Sequence, residues 1–157
     1  MTPEPSAPSP ALERHRLTPV FSVRIVRVME DSTADTIAIP RAAAPTNTQI
    51  ADTYLEAYRL KDPSKVLLAP DVSLQYPLAP TKVVGRQNVI AYMLSVMPGF
   101  DDVELERHLV DGEYVATIWK AHTAWGTMPA CTVFRISAGV ITEVRSFFDP
   151  RPIVQRD

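Results

Sequence analysis

A single cysteine, Cys131, stands among the 157 residues, so an intramolecular disulfide is excluded and no thiolate cluster can hold a metal. Only five glycines occur and none are grouped, which leaves no glycine-rich loop to cradle a phosphate. No apolar run reaches the roughly 18 residues needed to span a bilayer. The opening "MTPEPSAPSP" lacks the basic start of a secretory leader, and the apolar stretch "VFSVRIVRV" is broken by Arg24 and Arg27. These features predict a cytoplasmic protein that does not enter a membrane. A large excess of either charge is lacking as well: the net charge is −2 with the signs mixed, so no basic footprint for nucleic acid is expected. His108 and His122 have no carboxylates at a ligand-like spacing, and neither a metal nor a cofactor is expected.

What is present is an ordinary globular composition, 46% hydrophobic and 22% charged. Seven of the fifteen prolines fall in the first 45 residues, together with only one aromatic, Phe21. Such a stretch has little with which to build a core, so residues 1–45 are expected to form a Pro-rich, largely flexible extension. Within it "VFSVRIVRV" is a candidate edge strand and Met29 an alternative start. The folded domain is expected over 46–152, with 153–157 as a tail.

From Pro45 onward the pattern is that of packed elements. "PTNTQIADTYLEAYRLKD" predicts a helix with Thr46 and Gln49 in capping-box spacing and an apolar face of Ile50, Tyr54, Ala57 and Tyr58. A second short helix is expected over "PSKVLLAP", capped by Asp62. "DVSLQYP" alternates as a strand through Val72, Leu74 and Tyr76. "GRQNVIAYMLSVMPG" predicts a third helix with Val89, Ile90, Met93, Leu94 and Met97 inward. After residue 100 the period becomes two. "DVELERHLV" and "EYVATIWKAHTAW" are joined by Asp111-Gly112, and "ACTVFRIS" and "VITEVRSFF" by Ala138-Gly139, two hairpin signals. Helices followed by strands predict an α+β fold with an antiparallel sheet.

The series "YLEAYRLKD", "LLAPDVSLQYP", "GRQNVIAYM", "HLVDGEYVATIWKAH" and "FRISAGVITEVRSFFDP" resembles the NTF2-like superfamily, in particular its SnoaL-like branch, over about residues 46–152. The resemblance implies a cone, in which a curved antiparallel sheet wraps three N-terminal helices and leaves a pocket at its wide mouth. It also implies a homodimer through the outer face of the sheet. Fold alone does not name the chemistry. Where limonene-type epoxide hydrolases carry an aspartate on the last strand, this chain has Ser146. Where ketosteroid isomerases carry their general base, it has Tyr76. Neither activity has its acid–base group.

Scytalone-dehydratase-like members are the better match, and they imply roles for Tyr58, Tyr76 and His108. The histidine would move protons while the two tyrosines polarise an oxygen. Departures are Arg59, where those members have an acid, and the register of His122. Tyr54, Trp119, Thr123, Ser146 and Phe148 are then expected to line the substrate pocket. Parity places His108 with Glu104 and Glu106 on a solvated face, unless a bulge turns it inward. Cys131 is expected as a small core residue. The resulting expectation is a cofactor-independent lyase, isomerase or cyclase acting on a small apolar molecule. The alternative is a non-catalytic hydrophobic-ligand-binding or assembly module with the same fold.

Overall fold

Structure is described for residues 43–155 in a computed structural model. The expectations for residues 1–42, including the edge strand and Met29, lie outside the described residues. Helix α1, Asn47–Leu60, opens on the predicted capping box. The Gln49 N–H donates to Thr46 Oγ1 at 3.3 Å, and the Thr46 N–H donates to Gln49 Oε1 at 2.9 Å. Two of the helix's orphan donors are thereby satisfied. Lys61 ends the helix in the left-handed region at φ 58°. Its Nζ donates to the backbone oxygens of Met97, at 2.7 Å, and of Phe100.

The short helix expected over "PSKVLLAP" is absent. Asp62 does accept from the Ser64 N–H at 2.9 Å, but the Val66 N–H turns back onto Pro63 O at 3.1 Å. The chain then enters strand β1, Leu68–Gln75. The second half of the segment is held by tertiary partners instead: Leu67 O accepts from the Ile141 N–H at 2.8 Å, and Leu68 O from Arg86 Nε at 2.9 Å. Sheet pairing has overridden a local capping signal.

Strand β2 (Val83–Val84) leads into helix α2 (Arg86–Val96), then a 3₁₀ turn, Met97–Gly99. Val89 and Met93 of α2, with Met97 beyond it, form one buried i, i+4 row. Leu94, expected inward, is 50% exposed, because it lies one step, about 100°, round the helix from Met93. Strands β3 (Phe100–Asp111), β4 (Tyr114–Thr123), β5 (Gly126–Ser137) and β6 (Val140–Phe148) follow as the predicted meander. A short helix α3, Arg151–Val154, ends the described chain.

The six strands make one curved sheet in the order β2-β1-β6-β5-β4-β3. The α+β class and the cone stand, with one refinement: β1 runs parallel to β6, so the sheet is mixed. Two-residue connections, Gly112–Glu113 and Ala138–Gly139, close two of the hairpins. In the second both residues have positive φ, 50° and 77°, the twist that fits strands joined this tightly. Register shifts interrupt β3 at Phe100/Asp102 and Leu105/Arg107, and interrupt the β5–β6 pairing at Arg135/Ile136. Each bulge bends its strand and adds to the curvature.

The concave face packs on α1. Ile50, Tyr54, Leu55 and Tyr58 from the helix meet Val115, Phe134 and Ile136 from the sheet, all buried. Each large side chain so buried contributes about 1.5–3 kcal/mol before entropy is charged against it. Parity along β5 turns Ala130, Thr132 and Phe134 inward. Cys131 therefore faces the convex side, half-buried, and is not the core residue expected.

Candidate functional site

Between α1, α2 and the β4–β6 end of the concave face lies a cavity of about 690 Å³. From α1 come Tyr54, Leu55 and Tyr58. The 3₁₀ turn gives Pro98 and Gly99, the β4–β5 turn gives Ala124 and Trp125, and the strands supply Trp119, Met128, Thr132, Ser146 and Phe148. Two interactions hold the rim. The Ala124 N–H donates to Gly99 O at 3.3 Å, and the Trp125 ring lies so close to Gly99 that a β-carbon there would stand 2.4 Å from it.

Every polar side-chain group on the described lining is a hydroxyl or an indole N–H; no carboxylate, imidazole, amine, guanidinium or thiol is among them. The hydroxyls are ordered. Tyr54 and Tyr58 sit one helical turn apart with their oxygens 3.3 Å from each other. Trp119 Nε1 donates to Thr132 Oγ1 at 3.0 Å, and Thr132 Oγ1 lies 3.1 Å from Ser146 Oγ. Tyr76 follows the last residue of β1 and stacks on Tyr92 of α2, with centroids 4.3 Å apart. Burial pushes the Tyr54 phenol up to about 12, opposed in part by the Tyr58 hydroxyl. Burial also holds Tyr58 and Tyr92 well above the usual phenol range, each reinforced by neighbouring tyrosines. At neutral pH these groups are O–H donors and not bases.

Six of the expected site residues line this cavity: Tyr54, Tyr58, Tyr76, Trp119, Ser146 and Phe148. Two do not. Thr123 is spent on its own turn, donating to Gly126 O at 2.8 Å and accepting from the Trp125 N–H at 3.1 Å. His108 does point to the concave face, because the bulge at Leu105/Arg107 shifts the register and sets His108 opposite Thr117. It lies outside the cavity, however, at the edge where β3 packs on α1. There Nε2 is 2.7 Å from Asp52 Oδ1 and Nδ1 is 2.9 Å from Thr117 Oγ1. The expected convergence of His108 with Tyr58 and Tyr76 is not formed: the two tyrosines line the cavity and His108 does not.

Asp52, Tyr92, Ser95 and Trp125 were not foreseen as site residues. For Tyr92 a signal existed, since it lies three residues from Val89 and four from Val96 on α2, on the flank of the buried row. Asp52 carried no local signal, because its partner is 56 residues away. Among the described residues no three His, Cys, Asp or Glu side chains are grouped as metal ligands, and no helix is long and apolar enough to cross a membrane.

Comparison with known proteins agrees with this architecture. An NTF2-like protein of unknown function from Cytophaga hutchinsonii is similar at TM-score 0.63 and 17% identity, over 74% of this chain and 100% of its own. A designed protein with a curved β-sheet is similar at TM-score 0.61 and 19% identity, over 67% and 86%. A Catenulispora acidiphila protein of ketosteroid isomerase-like fold, in complex with trimethylamine, is similar at TM-score 0.59 and 15% identity, over 69% and 92%. At such identities these likenesses establish the fold alone. No curated protein sequence matches. The family model of the SnoaL-like domain matches residues 51–144, most of the described elements from α1 to β6, and the chain belongs to the SnoaL-like domain family.

Proposed function

We propose that the protein binds a small, uncharged, largely apolar organic molecule carrying one or two oxygens. The observation that carries this reading is the lining: aromatic and aliphatic walls with neutral hydroxyls and no ionisable group other than tyrosine. The volume falls in the range of pockets that enclose a drug-sized ligand. Tyr54 and Tyr58 would donate to a ligand oxygen, and the Thr132–Ser146 pair would meet a second polar group. A charged ligand would lose hydration with no opposite charge on the described lining to offset it.

Calorimetric titration with 2-acetonaphthone, 2-naphthol and 2-naphthoate tests this reading. Both neutral probes are expected to bind, and the carboxylate at least about tenfold more weakly. Equal or tighter binding of 2-naphthoate would overturn it.

A cofactor-independent lyase, isomerase or cyclase is the second reading, favoured by the Tyr54–Tyr58 hydroxyl pair, which can polarise a carbonyl. It needs a proton acceptor, and the described lining supplies none. Recovery of a probe chemically changed after long incubation would decide for it.

We also propose that a second copy covers the convex face. Ile118, Cys131 and Phe147 stand in one cross-strand row there, and Phe147 is 50% exposed. Phe147→Glu is expected to convert a dimer to a monomer in analytical ultracentrifugation. A wild-type monomer at high concentration removes this proposal.

A further inference from the structure

One register row crosses four strands of the concave face and is polar throughout. His108 on β3 stands opposite Thr117 on β4, Thr117 opposite Thr132 on β5, and Thr132 opposite Ser146 on β6. Its outer end is wet: the side chains of His108 and Asp52 are 23% and 38% exposed. Its middle is dry, with Thr117 and Thr132 fully buried. Its inner end, Thr132 and Ser146, is cavity wall. We infer that this row transmits the protonation state of His108 to the cavity, making His108 a positioning residue that sets which ligand oxygens the site accepts. The inference rests on the cavity being a ligand site.

The donor and acceptor inventory gives the row two polarities. The nitrogen facing Asp52 carries a proton, since a carboxylate accepts. In neutral His108, Nδ1 is then the acceptor, and the Thr117 hydroxyl donates to it. Thr117 can only receive from Thr132, and Thr132 from Ser146 and the Trp119 indole. All hydroxyl protons point toward His108, and Ser146 presents a lone pair to the cavity. In the imidazolium, Nδ1–H donates to Thr117. The Thr117 proton turns to Thr132, that of Thr132 to Ser146, and Ser146 presents its O–H to the ligand.

Each oxygen keeps a permissible count in both states; Thr132 accepts two bonds and donates one either way. Only one proton is exchanged, between solvent and His108, and each hydroxyl merely rotates. The contacts already made are Asp52–His108, His108–Thr117, Trp119–Thr132 and Thr132–Ser146. Thr117 and Thr132 stand directly opposite each other in register without a hydrogen bond between their hydroxyls, and the inference requires those hydroxyls to turn onto each other, as cross-strand Thr–Thr pairs in antiparallel sheets can.

The charged groups around His108 leave the row undisturbed. From α1, Asp52 faces it directly, while Glu56 one turn on is paired with Arg59 at 3.4 Å. From β4 the facing group is the neutral Thr117. On β3, Glu106 is bound by Lys120 at 2.6 Å, and Arg107, opposite the outward Ile118, lies on the convex side. The cavity is expected to favour acceptor-only ligands when His108 is charged and donor ligands when it is neutral.

The test has a ligand-free arm and a ligand arm. In the first, the Trp119 indole N–H, identified by its persistence in Trp125→Phe, is followed by NMR from pH 5 to 8. It is expected to shift in step with the His108 ring in wild type and to stand still in Thr117→Val, where His108 still titrates. An indole that moves equally in Thr117→Val would reflect a field through space and overturn the inference. In the second, the Kd ratio of 2-acetonaphthone to 2-naphthol is expected to change about fivefold over the same range. It is expected to be constant in His108→Gln and Thr117→Val. A flat ratio in wild type, with both probes bound, also overturns it. If neither probe binds while the wild-type indole titrates as expected, the ligand reading fails and the row stands.

Discussion

The two ends of the concave face differ in kind although the same sheet builds both. Around Tyr54, Phe134 and Trp119 the side chains are large, buried and neutral, and the hydroxyls there bond to one another or to an indole. At the β3 edge, Asp52 and His108 are ionisable, part-exposed and held by a single contact each way. The dry end carries most of the packing energy and the wet end carries little, because a pair that solvent reaches is screened. A fold that separates the two keeps ionisable groups other than tyrosine off the described cavity lining while a titratable group stands in the same register row as two lining residues.

The largest expected effect breaks the dry end. Phe134 is fully buried and meets Tyr54 edge-on at 5.1 Å. Phe134→Ala is expected to cost about 3–5 kcal/mol in urea denaturation. A loss near 1 kcal/mol would mean that the space left by the ring closes up and that Phe134 is not central to the core.

Alkaline unfolding comes next. Tyr54 moves from 10.0 in the unfolded chain to about 12 when folded, so the folded state holds this proton more tightly. Its contribution is intact below about pH 10 and is lost as pH rises through about 12. The loss reaches about 3 kcal/mol from this one group. Stability and tyrosinate absorbance measured together over that range check it, and a Tyr54 that ionises like an exposed phenol would contradict the burial.

Gly99→Ala sharpens the comparison at the rim. The new methyl would meet the Trp125 ring, and the ring must move, at a cost of roughly 1–3 kcal/mol. Ligand affinity is expected to fall with it, while the contact between Asp52 and His108 is untouched. A variant that binds the neutral probes as wild type does would remove Trp125 from the cavity wall.

The same contrast explains what could be read in the sequence. The dry end was legible, because helical spacing in "ADTYLEAY" and alternation in "TIWKAHT" and "VITEVRSFF" report burial directly. Tyr76, at the end of "SLQYP", was legible for the same reason: it continues the parity of Val72 and Leu74 into the cavity. The wet end was not. Parity counts residues, and the bulge at Leu105/Arg107 inserts one, so His108 reads as solvent-facing beside Glu106 although it faces α1. Asp52 sits on the polar flank of its helix and becomes significant only when β3 arrives. The missing helix after Asp62 is a third case, in which a local cap was outbid by partners on β6 and α2. Periodicity survives folding where burial is uniform and fails where a single inserted residue or a distant partner decides.

The smallest effect is predicted at that wet end, and it is the most discriminating. Asp52→Asn keeps an oxygen for His108 Nε2–H to reach and removes the charge. Because Asp52 is 38% exposed, the expected loss in thermal or urea unfolding is under about 1 kcal/mol. If the loss instead approached that of Phe134→Ala, Asp52 and His108 would be a structural clasp between α1 and the sheet, and the division of the concave face into a packing end and a titrating end would fall. A small loss, joined to a changed pH dependence of the Trp119 indole, would place the work of this pair at the far end of the row, on Ser146.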